Sequence, residues 1–105
     1  MARPRAHAHA ASFPFGTAAT FLVHGRGFAG DGAHHVSVDL SSADGFTWAP
    51  NPAVGTVVNA QWVRVTATPH DNGKRGAGVG DLTITVTNGD GTGASNTCSQ
   101  DVYYG

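Results

Sequence analysis

Six histidines, seven aspartates and one cysteine are the side chains here that could carry chemistry, in a chain with no glutamate and a single lysine. The histidines fall as His7-x-His9, His24, the pair His34-His35, and His70. A tetrahedral zinc centre needs several ligands held together by a supporting shell. His7 and His9 could join His34 or His35 only if the N-terminus docks on the rest of the chain, so the histidines read as polar surface or interface residues. Asn88-Gly89-Asp90-Gly91 offers one carboxylate and several carbonyls to a hard cation such as Ca²⁺, which takes about six to eight oxygens. The same four residues tolerate positive φ and are strong hairpin formers. They read as a corner between two strands, and no metal or other cofactor is expected. The aspartates are scattered, and no Ser or Cys sits in a nucleophile-elbow pattern, so the chain is not expected to be an enzyme. Cys98 has no second cysteine to pair with and reads as a small buried apolar residue on a strand.

The elements that must position these residues are strands. Fifteen glycines, eleven valines and eleven threonines stand against three leucines and one isoleucine. Good helix formers other than alanine are nearly missing, so 105 residues predict one all-β domain. Acids and bases are spread along the chain with a net charge of −1. Clustered Lys or Arg, which phosphate contacts need, is missing, so neither nucleic acid nor membrane is an expected partner. The start, "MARPRAHAHAAS", has basic residues and a small-residue stretch but no apolar core between them, which argues against a secretory signal.

Residues 1–16 contain two prolines, two arginines and an Ala/His alternation, a composition that cannot bury enough surface to fold alone. This segment predicts an extended N-terminal arm, with Arg3, Arg5, His7, His9, Phe13 and Phe15 as candidate partner-binding residues. Residues 17–105 are the body. "TFLVHGRGF" alternates Phe21 and Val23 with Leu22 and His24, and "HVSVDLS" sets Val36, Val38 and Leu40 against Ser37 and Asp39. "QWVRVTATP" sets Val63, Val65 and Ala67 against Trp62, Arg64 and Thr66, and "DLTITVTN" points Leu82, Ile84 and Val86 inward. "FTWAPNP" is short and proline-bounded, which predicts an edge or crossover. Residues 70–80 read as a glycine-rich loop. Six or seven such strands separated by turn signals describe a β-sandwich.

Trp48, Tyr103 and Tyr104 are the candidate surface aromatics. Trp48 lies beside prolines on the expected edge, and adjacent tyrosines in a strand must point to opposite faces. Trp62, on a long central-looking strand, is expected in the core.

"FLVHGRGF", with Gly25, Gly27 and Phe28, followed by "VGDLTITVTNGDG", resembles the IPT/TIG family of immunoglobulin-like domains over about residues 17–104. The resemblance implies a sandwich of about seven strands. It also implies roles as varied as receptor modules, accessory modules of polysaccharide-acting enzymes, and bacteriophage structural proteins, among which fold alone does not choose. With the arm and the missing signal, the expectation is a structural protein on a virion exterior, such as a capsid decoration protein. Its partners would be other subunits, the major capsid protein foremost, or further copies of itself. The alternative is a surface- or carbohydrate-binding module of a larger secreted protein, with Trp48 and an outward tyrosine as its glycan platform.

Overall fold

A computed structural model describes residues 7–9, 12–74 and 76–105, with backbone only for 7–9. Among these residues there are eight strands and no helix. They are β1 (His7–His9), β2 (Ala19–His24), β3 (His35–Ser41), β4 (Thr47–Ala49), β5 (Ala53–Asn59), β6 (Trp62–His70), β7 (Gly78–Thr87) and β8 (Ser95–Tyr104). The hydrogen-bonded order is β1-β2-β6-β5-β3-β7-β8, with β4 added to β6, and every strand pair is antiparallel.

The order follows from how the strands share neighbours. β6 pairs with β2 along one edge; its other edge takes β5 in its first half and β4 in its second. β5 in turn pairs with both β6 and β3, so it joins a β1-β2-β6 group to a β3-β7-β8 group. This junction requires a glycine. A Cβ on Gly55 would lie 2.7–2.9 Å from methyls of Val63, Val38 and Val36, where there is no room for one.

The period-2 patterns orient the sheet as the sequence predicts. Phe21 and Val23, Val36, Val38 and Leu40, Val63, Val65 and Ala67, and Leu82, Ile84 and Val86 are all buried in one core cluster. Burying each larger side chain of this set stabilises the fold by roughly 1.5–3 kcal/mol. Their sequence neighbours on the strands face out.

The segment ahead of β2 departs from the expected arm. Phe13 N–H donates to the Tyr103 carbonyl at 2.8 Å, and Gly105 N–H donates to the Phe13 carbonyl at 2.9 Å, which makes a parallel bridge onto β8. Gly16 N–H donates to the Pro69 carbonyl at the end of β6, also at 2.8 Å. The lead-in therefore laces β8 to β6 and draws the sheet into a curl. Phe13 is fully buried, edge-on to Phe21 and Trp48 with centroids 5.1 and 5.2 Å apart. Phe15 is half-buried, stacked on Tyr104 at 5.5 Å. The Phe13 ring is enclosed, and the Phe15 ring keeps one part exposed, because the curl leaves an apolar end that aromatic rings fill. The fold thus reaches back past residue 17. Arg3 and Arg5 lie outside the described residues, as do the side chains of His7 and His9.

The glycine-rich loop is also shorter than expected. β7 begins at Gly78, and the turn before it is organised by Asp71, whose carboxylate accepts Gly76 N–H at 3.0 Å while its carbonyl accepts Lys74 N–H at 3.1 Å.

Candidate functional site

The corner after β7 is more than a reversal. Asn88 Nδ2 donates to the Gly27 carbonyl at 2.8 Å, and Asn88 Oδ1 accepts Ala29 N–H at 3.1 Å. Gly89 N–H donates to the Ala29 carbonyl at 2.9 Å. A Cβ on Gly89 would collide with the His35 carbonyl oxygen, so the loop of residues 25–31 can close down only on a glycine there. The β7–β8 turn and the loop after β2 are one latched unit. Asp90 caps its own turn, accepting from both Thr92 N–H and Thr92 Oγ1, and these bonds hold its carboxyl below the usual carboxylate range. The Asp90 oxygen is spent on the turn, which is why the stretch makes a corner.

Beside this latch a groove of about 320 Å³ runs over the start of β3, bordered by Asp31, His35, Ser37, Val54 and Thr87. The backbone N–H groups of His35 and Ala33 hold the Asp31 carboxyl below its ordinary value. Asp31 is thereby an element of its loop. His24 and His70 end β2 and β6 as expected. Among the described residues no three His, Cys or Asp side chains converge as metal ligands.

The aromatic expectations need correction. Trp48 is buried, 3% exposed, between Phe13 and Phe21, and Tyr104 is fully buried. Neither is a surface aromatic; Tyr103, 46% exposed, is the outward member of the tyrosine pair. Trp48 shares its face with Phe46, and β4 pairs inward-facing Trp48 with Pro69 of β6, so the proline-rich edge covers the core. Trp62 is half-buried on the outer face against His24, centroids 4.5 Å apart. Its parity with Arg64 and Thr66, opposite to Val63 and Val65, was the available signal that it faces out.

Polar groups inside the curl are held by the same strands. The Tyr104 hydroxyl donates to the Asp81 carbonyl at 2.9 Å. Burial pushes the Tyr104 phenol up to about 12, a rise that the nearby Asp81 and Asp44 charges reinforce. The buried Trp48 Nε1 makes no hydrogen bond of good geometry, although its proximity to the Tyr104 hydroxyl works against that rise. The Asp81 carboxylate accepts from Ala43 N–H and Ser42 Oγ, both at 2.9 Å. Burial pushes the Asp81 carboxyl up, and these donors outweigh it, leaving it below the ordinary range.

The outer face of the β3-β7-β8 group is a lattice of small polar side chains in register, all hydroxyl-bearing except Asp39. Its rows are Ser37–Thr87–Ser95, Asp39–Thr85–Thr97 and Ser41–Thr83–Ser99. Within it Thr83 and Ser99 hydroxyls lie 2.7 Å apart, and Thr85 and Thr97 hydroxyls 3.0 Å apart. Cross-strand hydroxyl pairs of this kind stabilise a ladder by a few tenths of a kcal/mol each, about 0.2–1 kcal/mol. Alternation with the inward Leu82, Ile84 and Val86 turns Thr83, Thr85 and Thr87 outward, but their alignment with β3 and β8 depends on strand register.

Comparison with protein-family models, curated proteins and solved structures finds no match to this chain.

Proposed function

We propose that the chain is a non-enzymatic, immunoglobulin-like module of IPT/TIG type that serves as a structural subunit of a larger assembly, a virion-exterior or capsid decoration protein of a bacteriophage. The strand order supports the fold part of this reading. Immunoglobulin sandwiches place strands A-B-E-D in one sheet and C-F-G in the other, and β1-β2-β6-β5 followed by β3-β7-β8 has that sequence of neighbours. β5 stands where strand D would, bonded to both groups.

One observation carries the assembly part. Phe13 pins the lead-in to the core, while the chain ahead of it lies as a three-residue strand on the outside of β2. A short edge strand whose anchor lies downstream of it can leave its own sheet and pair with a neighbour's without unfolding the body, a low-cost route to subunit attachment. The glycan-platform reading is not carried forward, because Trp48 is inside the core.

The test is direct. Particles from the native source, separated on a density gradient, are expected to contain the 10.7 kDa chain in many copies by quantitative mass spectrometry. Chain lacking residues 1–9 is expected to fold and fail to attach. Absence of the chain from every particle fraction would sink the proposal.

A further inference from the structure

The chain contains two Asn-Gly steps, Asn72-Gly73 and Asn88-Gly89. Such a step carries the parts of a self-reaction. The glycine's backbone nitrogen can attack the side-chain carbonyl carbon of the asparagine, because glycine has no Cβ to block the approach. Three conditions fall to the fold: the glycine N–H must be free to lose its proton, the asparagine amide must be able to turn onto it, and water must reach both.

At Asn88-Gly89 the nucleophile is engaged, since Gly89 N–H donates to the Ala29 carbonyl at 2.9 Å. The Asn88 amide is held at both ends, through Nδ2 to the Gly27 carbonyl and through Oδ1 to Ala29 N–H, and the residue is half-buried. Turning that amide onto Gly89 would break all three bonds.

Asn72 and Gly73 are the central residues of the turn that follows β6. Both have positive φ, 57° and 71°, and the Asp71 carbonyl accepts Lys74 N–H across them at 3.1 Å, the pattern of a type I′ turn. The bond that closes such a turn uses the fourth residue's N–H and leaves the third residue's N–H outside it. That third residue is Gly73, whose N–H has no hydrogen-bond partner among the described residues. Asn72 and Gly73 are both exposed, and nothing lies within 4 Å of where a Cβ on Gly73 would stand. The Asn72 amide is tied through Nδ2, which donates to the Thr47 hydroxyl at 2.7 Å.

We propose that Asn72 is a site of spontaneous deamidation, a covalent modification whose co-reactant is water, and that the Asn88 latch shields the second Asn-Gly step from the same reaction. The Gly73 nitrogen gives its proton to solvent and bonds to Asn72 Cγ. The Cγ–Nδ2 bond breaks, and Nδ2 leaves with that proton's equivalent as ammonia. The five-membered imide opens when water adds at either of its carbonyls, which gives aspartate or isoaspartate at position 72. Either product adds a negative charge to a chain of net charge −1 and removes the donor to Thr47. Isoaspartate also lengthens the main chain inside the turn, which displaces Lys74 N–H from the Asp71 carbonyl. The modification acts at the joint between β6 and β7, beside β4, and does not depend on what the chain attaches to.

The experiment is a timed incubation of the purified full chain at mildly alkaline pH, followed by peptide mapping with fragmentation that separates aspartate from isoaspartate. The position-72 peptide is expected to convert to the acid, with isoaspartate the main product. Its rate is expected to exceed that of the position-88 peptide at least about tenfold, because reaction at Asn88 must await the opening of a hydrogen-bonded segment. In denaturant the two steps are expected to react at similar rates, which separates shielding by the fold from any effect of neighbouring residues. Asn72→Gln is expected to fold and to suppress the new acidic species on isoelectric focusing. Equal rates at the two steps in the folded chain, a position 72 that stays unreacted there, or a rate ratio that survives denaturation overturns the inference.

Discussion

Phe13 and Tyr104 lie side by side at opposite ends of the chain, bridged through their backbones and packed with ring centroids 6.3 Å apart. The pair closes the curled sheet where its two strand groups diverge. It also brings the lead-in and the end of β8 into one aromatic cluster with Phe46 and Trp48, 4.7 and 6.1 Å from Tyr104.

Two truncations are therefore expected to differ sharply. Removal of residues 1–9 leaves Phe13 and the lacing bonds in place, and the melting temperature is expected to change little. Removal of residues 1–16 takes away a fully buried phenylalanine, a half-buried one and the bonds to β8 and β6. Deleting a buried phenylalanine side chain alone costs about 3–5 kcal/mol, a large share of the roughly 5–15 kcal/mol that holds a small domain together. Thermal unfolding of the two truncated chains side by side decides the matter; equal stability would show that the cluster closes without Phe13.

Asn88→Ala strips a donor and an acceptor from the backbone of Gly27 and Ala29 at once. A loss of about 1–3 kcal/mol is expected, the usual scale for leaving such groups unsatisfied. Faster amide exchange at Ala29 should accompany it. Asn88→Asp keeps the acceptor and loses the donor, so its denaturation midpoint is expected to fall between wild type and Asn88→Ala. If the two variants unfold together, the Ala29 N–H bond to Oδ1 contributes nothing, whereas an Asn88→Asp midpoint equal to wild type would show that the Gly27 bond contributes nothing.

Alkaline stability follows from Tyr104. Its phenol sits at about 12 in the folded protein against an ordinary 10.0, so the folded state holds the proton more tightly than the unfolded state does. The stabilisation is fully present below pH 10 and drains away as pH rises towards 12, by about 2 kcal/mol in all. Denaturant midpoints measured through that window are expected to drop. Tyr104→Phe is expected to flatten the drop, at a neutral-pH cost of about 1 kcal/mol for the lost bond to the Asp81 carbonyl. A Tyr104→Phe chain with the same alkaline profile as wild type would place the sensitivity elsewhere.

Much of the strand content was legible from alternation. Val36, Val38 and Leu40 face inward because each is two residues from the next, and burial on one side of an extended chain has that period. Its long central-looking strand places Trp62 in the core by expectation, whereas parity with Arg64 points it outward, where it is half-buried. Trp48 had no such local warning. Its burial depends on Phe13 and Phe21, which lie 35 and 27 positions earlier (48 − 13 and 48 − 21), and on Pro69, reached through the β4–β6 pairing. The Asn88 latch was half visible, since Asn-Gly announces a turn; that its amide would reach Gly27 and Ala29 was not.

The sequence by itself determined the class of this protein. A chain rich in β-branched residues and glycine, with apolar residues at every second position, can satisfy its backbone only by pairing strands, and its turn residues mark where they reverse. Tertiary structure decided which strands became neighbours and in what register. Register aligns Thr85 with Thr97 and Thr83 with Ser99, and Phe13 bridges to β8 at its last residues. Those outcomes depend on contacts between distant segments, whose geometry no local pattern encodes.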